Sequence, residues 1–85
     1  MKFHEDDLEY GKYLYAFYPK DKWAAYIIDN ESTNEIHIKL LTQNRKGFFV
    51  REGWLSKEYL AYQCKQEKII IDIIDTYEDL VALII

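Results

Sequence analysis

The chain has 85 residues, of which 49% are hydrophobic and 31% are charged, and its formal net charge is −4 at pH 7. Its 3 Gly and 1 Pro argue against a disordered or collagen-like chain. A single cysteine, Cys64, excludes an intrachain disulfide and a zinc site with four thiolates. We therefore expect one small domain that spans residues 1–85 and is stabilised by packing.

The first residues, Met1 to Asp7, are acidic where a secretory signal would be basic and then apolar. No run of the sequence approaches the ~18 apolar residues of a membrane span. These features predict a cytoplasmic protein that does not associate with a membrane.

The first half of the chain predicts a three-stranded antiparallel meander. Two of its segments are rich in aromatic and β-branched residues, and the third alternates apolar with polar side chains. Turn-forming residues separate the three segments. The predicted strands are 12–18, 23–29 and 35–41, and the predicted turns are 19–22 and 30–34.

A register for the first hairpin follows from its charges. Pairing Tyr18 with Trp23 places Lys12 opposite Asp29, which is a favourable cross-strand pair. In the second hairpin we expect Ile28 opposite Ile36 and Tyr26 opposite Ile38, and a loop longer or shorter by two residues would leave the faces unchanged.

This register sorts the meander into two unlike faces. The predicted core face carries no charge, and it consists of Tyr13, Tyr15, Phe17, Ala24, Tyr26, Ile28, Ile36, Ile38 and Leu40. The opposite face mixes large apolar groups with two polar ones, and it consists of Leu14, Ala16, Tyr18, Trp23, Ala25, Ile27, His37, Lys39 and Leu41.

The second half of the chain predicts a loop and a short strand within 43–54, followed by a helix that Ser56 caps and that runs to about Gln66. Residues 69–85 fit two predictions. Their β-branched residues and a capping Thr76 favour a strand and then a short helix, whereas their periodicity favours one long helix with an acidic stripe. We favour the long helix.

Together these elements predict an α+β fold. We expect a three-stranded antiparallel meander that packs against one or two C-terminal helices, with a short fourth strand as an alternative.

The sequence offers little for catalysis or metal binding. Nucleophilic hydrolysis needs Ser or Cys with a histidine base, and the chain has only His4 and His37. Ser56 is expected as a helix cap and Cys64 as a small, partly buried residue. The acidic tract at 4–9 lacks the glycine turn of a calcium loop. We therefore expect no catalytic residues, no metal and no cofactor.

The predicted function is that of a small, acidic, non-enzymatic protein that binds another protein and modulates or inhibits it. Aromatic anchors with a polar rim are typical of protein interfaces. An acidic stripe can also occupy a basic groove, so one specific version is an inhibitor of a nucleic-acid-acting enzyme, encoded by a mobile element such as a phage. A homodimer stays open as an alternative. The predicted partner-binding residues are Tyr18, Trp23, His37, Lys39, Asp72, Asp75 and Asp79.

The alternative function is binding of single-stranded RNA or DNA through residues 45–57, where basic and aromatic side chains alternate. A net charge of −4 argues against general nucleic-acid binding. Residues 46–50 resemble the RNP1 strand of RNA-recognition domains over five positions, but no small residue separates the two aromatics, so we assign no family. The residues of this alternative are Arg45, Lys46, Phe48, Arg51 and Trp54.

Overall fold

The computed structural model describes residues 5–18, 21–45, 50–66 and 68–85. Within them, strands in the order β4-β3-β2-β1-β5 form one antiparallel sheet, accompanied by two α-helices. The protein thus has an α+β fold, and the three predicted strands lie at the centre of a larger sheet. The elements are a 3-10 turn (Glu5–Asp7), β1 (Tyr13–Tyr18), β2 (Lys22–Glu31), β3 (Glu35–Gln43), β4 (Glu52–Ser56), α1 (Lys57–Lys65), β5 (Ile70–Ile74) and α2 (Tyr77–Ile84).

The connection between β1 and β2 is one residue shorter than predicted. Tyr18 pairs with Lys22, so the expected pairing of Tyr18 with Trp23 is wrong. Asp21 has a φ of 58°, the left-handed conformation that commonly closes three-residue hairpin loops. The side chain of Asn44 supports this turn, because its amide donates to the Asp21 carbonyl and its Oδ1 accepts from the Trp23 N–H at 2.8 Å.

This difference of one residue reverses the two faces of β1. Leu14 and Ala16 are buried together with Tyr26 and Ile28, on the side that we call the first face. The predicted assignment of β1 is therefore wrong. Three of its aromatic residues lie on the opposite side, the second face, and they are Tyr13, Tyr15 and Phe17.

The second hairpin keeps its predicted faces although its register moves by two residues. Ile28 pairs with Ile38, and Tyr26 pairs with Leu40. The pairing of β2 with β3 is irregular on both sides of Tyr26 to Ile28, and one irregularity lies between Ile28 and Asn30. A bulge of this kind inserts one unpaired residue and redirects its side chain. Asp29 and Asn30 both lie opposite His37 at this point, and strand alternation after Ile28 places the Asp29 side chain on the second face.

Helix α1 covers the first face. It begins at Ser56 as predicted, and the Ser56 Oγ accepts a hydrogen bond from the Tyr59 N–H at 3.2 Å. Leu60 joins the buried cluster of the sheet, and Leu8 closes the same cluster from the N-terminal segment. The main core is therefore a layer of aliphatic side chains between α1 and the sheet.

The long C-terminal helix that the periodicity favoured is wrong, and the alternative strand and short helix are present. Ile70–Ile74 pair with β1 as an edge strand, where β-branched side chains pack well. Thr76 then caps α2, and its Oγ1 accepts from the Asp79 N–H at 3.2 Å. Helix α2 lies against the second face, because the Tyr77 ring contacts that of Tyr13 with centroids 5.9 Å apart.

Glu31 joins three parts of the chain. Its carboxylate accepts from the Tyr10 N–H at 3.0 Å and from the Lys57 Nζ at 3.2 Å. The hydrogen bond from the Tyr10 N–H has the largest effect on the pKa of Glu31, and that from Lys57 adds to it. Together they hold this pKa below its ordinary value of 4.5. The carboxylate therefore ties the N-terminal segment and α1 to the end of β2.

This arrangement predicts a dependence of stability on pH. Since the pKa of Glu31 is lower in the folded state, its contribution is present above pH 4.5 and is lost as the pH falls through the folded value. We expect Glu31→Gln to unfold at lower urea concentration than the wild type at pH 6 and to approach it as the pH falls below the folded-state pKa of Glu31. A difference that stays constant over this range would contradict the assignment.

Candidate functional site

The second face of the sheet is only partly covered. Among the described residues, helix α2 packs mainly against β1 and β5, so it does not cover the half formed by β2, β3 and β4. Trp54 is 47% exposed there, although large aromatic side chains are usually buried. We call the side chains of this uncovered half the open surface, and it consists of Trp23, Ile27, His37, Lys39 and Trp54.

His37 is the most constrained side chain of the open surface. Its Nδ1 lies 2.5 Å from Asp29 Oδ1, and its Nε2 lies 3.9 Å from Glu52 Oε2. The Trp54 ring meets the imidazole edge-on, with centroids 5.3 Å apart. Because a carboxylate only accepts, the short contact with Asp29 places a proton on Nδ1. The hydrogen bond to Asp29 and the Trp54 ring therefore orient the imidazole, and the Glu52 carboxylate lies near its other nitrogen.

A row of aromatic rings joins the open surface to the part that α2 covers. The Tyr15 and Trp23 rings are 5.8 Å apart, and Trp23 pairs across the strands with Phe17. Burial and the nearby carboxylate of Asp72 both raise the pKa of Tyr15, so this phenol is neutral at physiological pH. Trp23 is half-buried in this row and serves as a rigid flank for the open surface.

Among the described residues, Cys64, Ser56 and His37 do not come together. Cys64 packs against the core of the first face, so the sheet separates it from His37. Burial raises the pKa of the Cys64 thiol, although a hydrogen bond from the Ile71 backbone acts in the opposite direction. Ser56 is committed to capping α1. Within the described residues, no group of three or more His, Cys, Asp and Glu side chains is arranged to hold a metal ion.

The predicted acidic stripe is not one face of a helix. Asp72 lies on β5, opposite Tyr15, whereas Asp79 lies in the first turn of α2. Asp75 falls between these elements and forms an ion pair with Lys12 at 3.4 Å. These three carboxylates therefore belong to different elements, because a strand interrupts the expected helix.

The residues of the nucleic-acid alternative are divided as well. Trp54 belongs to the second face. The Arg51 carbonyl accepts from the Leu40 N–H at 2.7 Å, and strand alternation places the Arg51 side chain on the first face. Arg45 is exposed in the turn after β3. Of the other predicted residues, Lys46 and Phe48 lie outside the described part of the chain, as does the side chain of Tyr18.

Strand β4 forms an edge of the sheet beside the open surface. The Leu40 N–H donates to the Arg51 carbonyl, and the Lys57 N–H donates to the Asn34 carbonyl. By alternation, the backbone N–H and C=O groups of the odd-numbered residues of β4 point towards β3. The backbone groups of Glu52 and Trp54 consequently point away from the sheet. The other edge of the sheet is β5, where the backbone N–H of Ile71 donates a hydrogen bond to Cys64 of α1.

The sequence analysis missed Asp29 and Glu52. Their carboxylates reach His37 because Ile28 pairs with Ile38 rather than with Ile36, which brings Asp29 opposite His37, and because β4 pairs with β3. Alternation within β3 placed His37 and Lys39 on one face, but no local pattern indicated either carboxylate partner.

No family model matches the chain, and no similar protein was found among curated proteins or solved structures. Within the described residues, neither helix has the length and apolar character that crossing a bilayer requires.

Proposed function

We propose that this protein is a non-enzymatic interaction module that binds another protein through the open surface and modulates or inhibits it. The observation that carries this proposal is the exposed Trp54 ring beside His37, on the half of the second face that α2 leaves uncovered. Trp is enriched, with Tyr and Arg, among the residues that contribute most to the binding energy of protein interfaces.

The surface is suited to binding because its side chains are already ordered. His37 is held by its hydrogen bond to Asp29 and its contact with the Trp54 ring, and Trp23 contacts the Tyr15 ring. Ordering a flexible side chain costs about 0.5–1.5 kcal/mol on association, so a rigid surface retains more of its contact energy as affinity.

The charges around Trp54 favour a partner with a basic side chain at the contact. Asp29 and Glu52 flank the imidazole, and Lys39 is the cation of the open surface. Charge complementarity directs specificity and association rate more than affinity. A nucleic-acid-acting enzyme, whose substrate groove is basic, is the specific partner we propose, with the protein acting as a mobile-element-encoded inhibitor.

The direct test is purification of the tagged chain from its own type of cell, with and without nuclease, followed by mass spectrometry. A stoichiometric protein partner that survives nuclease supports the proposal. Absorbance of nucleic acid that nuclease removes, with no protein partner, contradicts it and favours the alternative that uses Arg45 and Arg51.

Substitutions then locate the surface. We expect Trp54→Ala to weaken binding of the captured partner about 30-fold, which corresponds to about 2 kcal/mol, with a smaller loss for Trp23→Ala. The matched control is Tyr62→Ala, which removes an equally exposed ring from α1 on the opposite side of the sheet. Equal losses for Trp54→Ala and Tyr62→Ala in calorimetry would place the binding site elsewhere.

A further inference from the structure

A cavity of about 150 Å³ lies between α1 and the first face, on the opposite side of the sheet from the open surface. Its floor is formed by strand residues such as Leu14, Ala16 and Ile38, and its roof by Leu60 of α1. Protein interiors rarely leave voids larger than a water molecule. A cavity of this size in so small a domain therefore calls for a physical explanation.

The lining defines the chemistry of a suitable occupant. Aliphatic side chains predominate, and among the described residues no carboxylate, ammonium or guanidinium group lines the cavity. A charged molecule would lose its hydration there without meeting a countercharge, which is costly. Apolar cavities of about 150 Å³ stay dry and accept molecules of the size of benzene.

The same lining offers a polar contact and a route of entry. Gln63 contributes an amide to the lining, and the Tyr26 hydroxyl donates to the Val50 carbonyl at 2.9 Å. Val50 and Tyr59 belong both to the lining and to the exposed surface, so the cavity reaches solvent between them. A molecule can therefore enter without separating α1 from the sheet.

We propose that this cavity is a binding site for a small, uncharged, largely apolar molecule of about one ring, carrying at most one hydrogen-bonding group. The site is independent of the open surface, because the sheet lies between them. Occupancy replaces the missing contacts of Leu14, Ile38 and Leu60, so the ligand stabilises the fold in proportion to its concentration.

Benzene is the probe for a first test, read out by methyl NMR of the isoleucine and leucine side chains and by thermal unfolding. We expect saturable shifts of the Leu14, Ile38 and Leu60 methyl groups and a rise in Tm of a few degrees. Indole and phenol follow as larger and more polar probes. Absence of saturable shifts at these methyl groups would overturn the proposal.

Filling the cavity provides the matched variant. Ala16→Leu extends a side chain into the space, so we expect at least tenfold weaker benzene binding with an unchanged or higher Tm. The control, Ala82→Leu, makes the same change at an exposed position on α2 and should leave benzene binding unaltered.

Each outcome of the variants bears on the cavity itself. Undiminished benzene binding by Ala16→Leu overturns the proposal. If Ala16→Leu lowers the Tm, the smaller Ala16→Val is measured, and a lower Tm for both variants shows that the space is not there, which also overturns it. None of these results depends on the partner proposed for the open surface.

Discussion

Leu14→Ala is expected to lower the free energy of unfolding by about 2–5 kcal/mol. Leu14 is 2% exposed and packs in the aliphatic layer between the sheet and α1. A domain of this size rarely holds more than about 3–5 kcal/mol in its core, so the variant should be largely unfolded at 25 °C. Urea denaturation followed by circular dichroism measures the change.

The control for this prediction is the same substitution at Leu41, which is 43% exposed. We expect Leu41→Ala to cost less than about 1 kcal/mol, because an exposed side chain loses little burial on truncation. If Leu14→Ala were no more costly than Leu41→Ala, Leu14 would lie on the second face and the three-residue connection between β1 and β2 would be wrong.

Leu80→Ala is the second substitution with a large expected effect. Leu80 is 1% exposed and anchors α2 to the second face, outside the cluster under α1. We expect a loss of about 2–4 kcal/mol and faster amide hydrogen exchange throughout α2, with the contact between Tyr13 and Tyr77 lost. Hydrogen exchange by mass spectrometry separates this local effect from global unfolding.

Leu83→Ala is the matched control on the same helix, where the side chain is 47% exposed. Its exchange pattern should resemble that of the wild type. Similar protection of α2 in the Leu80 and Leu83 variants would show that the helix is held by contacts other than Leu80. Faster exchange in β2 and β3 for Leu80→Ala, as fast as in α2, would show that the layers unfold together.

The strongest local signals of the sequence predicted real elements. Alternation in residues 35–41 identified β3 and assigned His37 and Ile38 to opposite faces, and the bulged ladder preserved those faces. Ser56 predicted the start of α1 because a side-chain oxygen that caps a helix is a local requirement. These signals depend on neighbouring residues only, so they survive an error in the arrangement of the sheet.

The faces of β1 could not be predicted in this way. Both sides of that strand are apolar, with Leu14 and Ala16 on one side and aromatic residues on the other. The burial pattern therefore offers no contrast, and the connection to β2 decides which side meets the core. The expected charge pair between Lys12 and Asp29 favoured the wrong register. In the structure the Lys12 ammonium group lies near the carboxylates of Glu9 and Asp75.

The C-terminal segment shows the opposite limitation. Residues 70–74 are too few for periodicity to separate a strand from a helical turn, and the pairing with β1 decides the outcome. The candidate site depends on tertiary pairing too. His37 and Trp54 belonged to competing functional predictions, and the pairing of β3 with β4 places them in contact.

The short connection between Tyr18 and Lys22 also constrains how this fold can evolve. Because side chains alternate along β1, a gain or loss of one residue there would exchange Leu14 and Ala16 with the aromatic residues of the other face. Homologues that retain the architecture should therefore vary this connection in steps of two residues, or combine a single insertion with a new bulge in β1 or β2. An insertion at the junction of β4 and α1 faces a different restriction, since β4 ends at Ser56 and this residue must remain next to the helix that it caps.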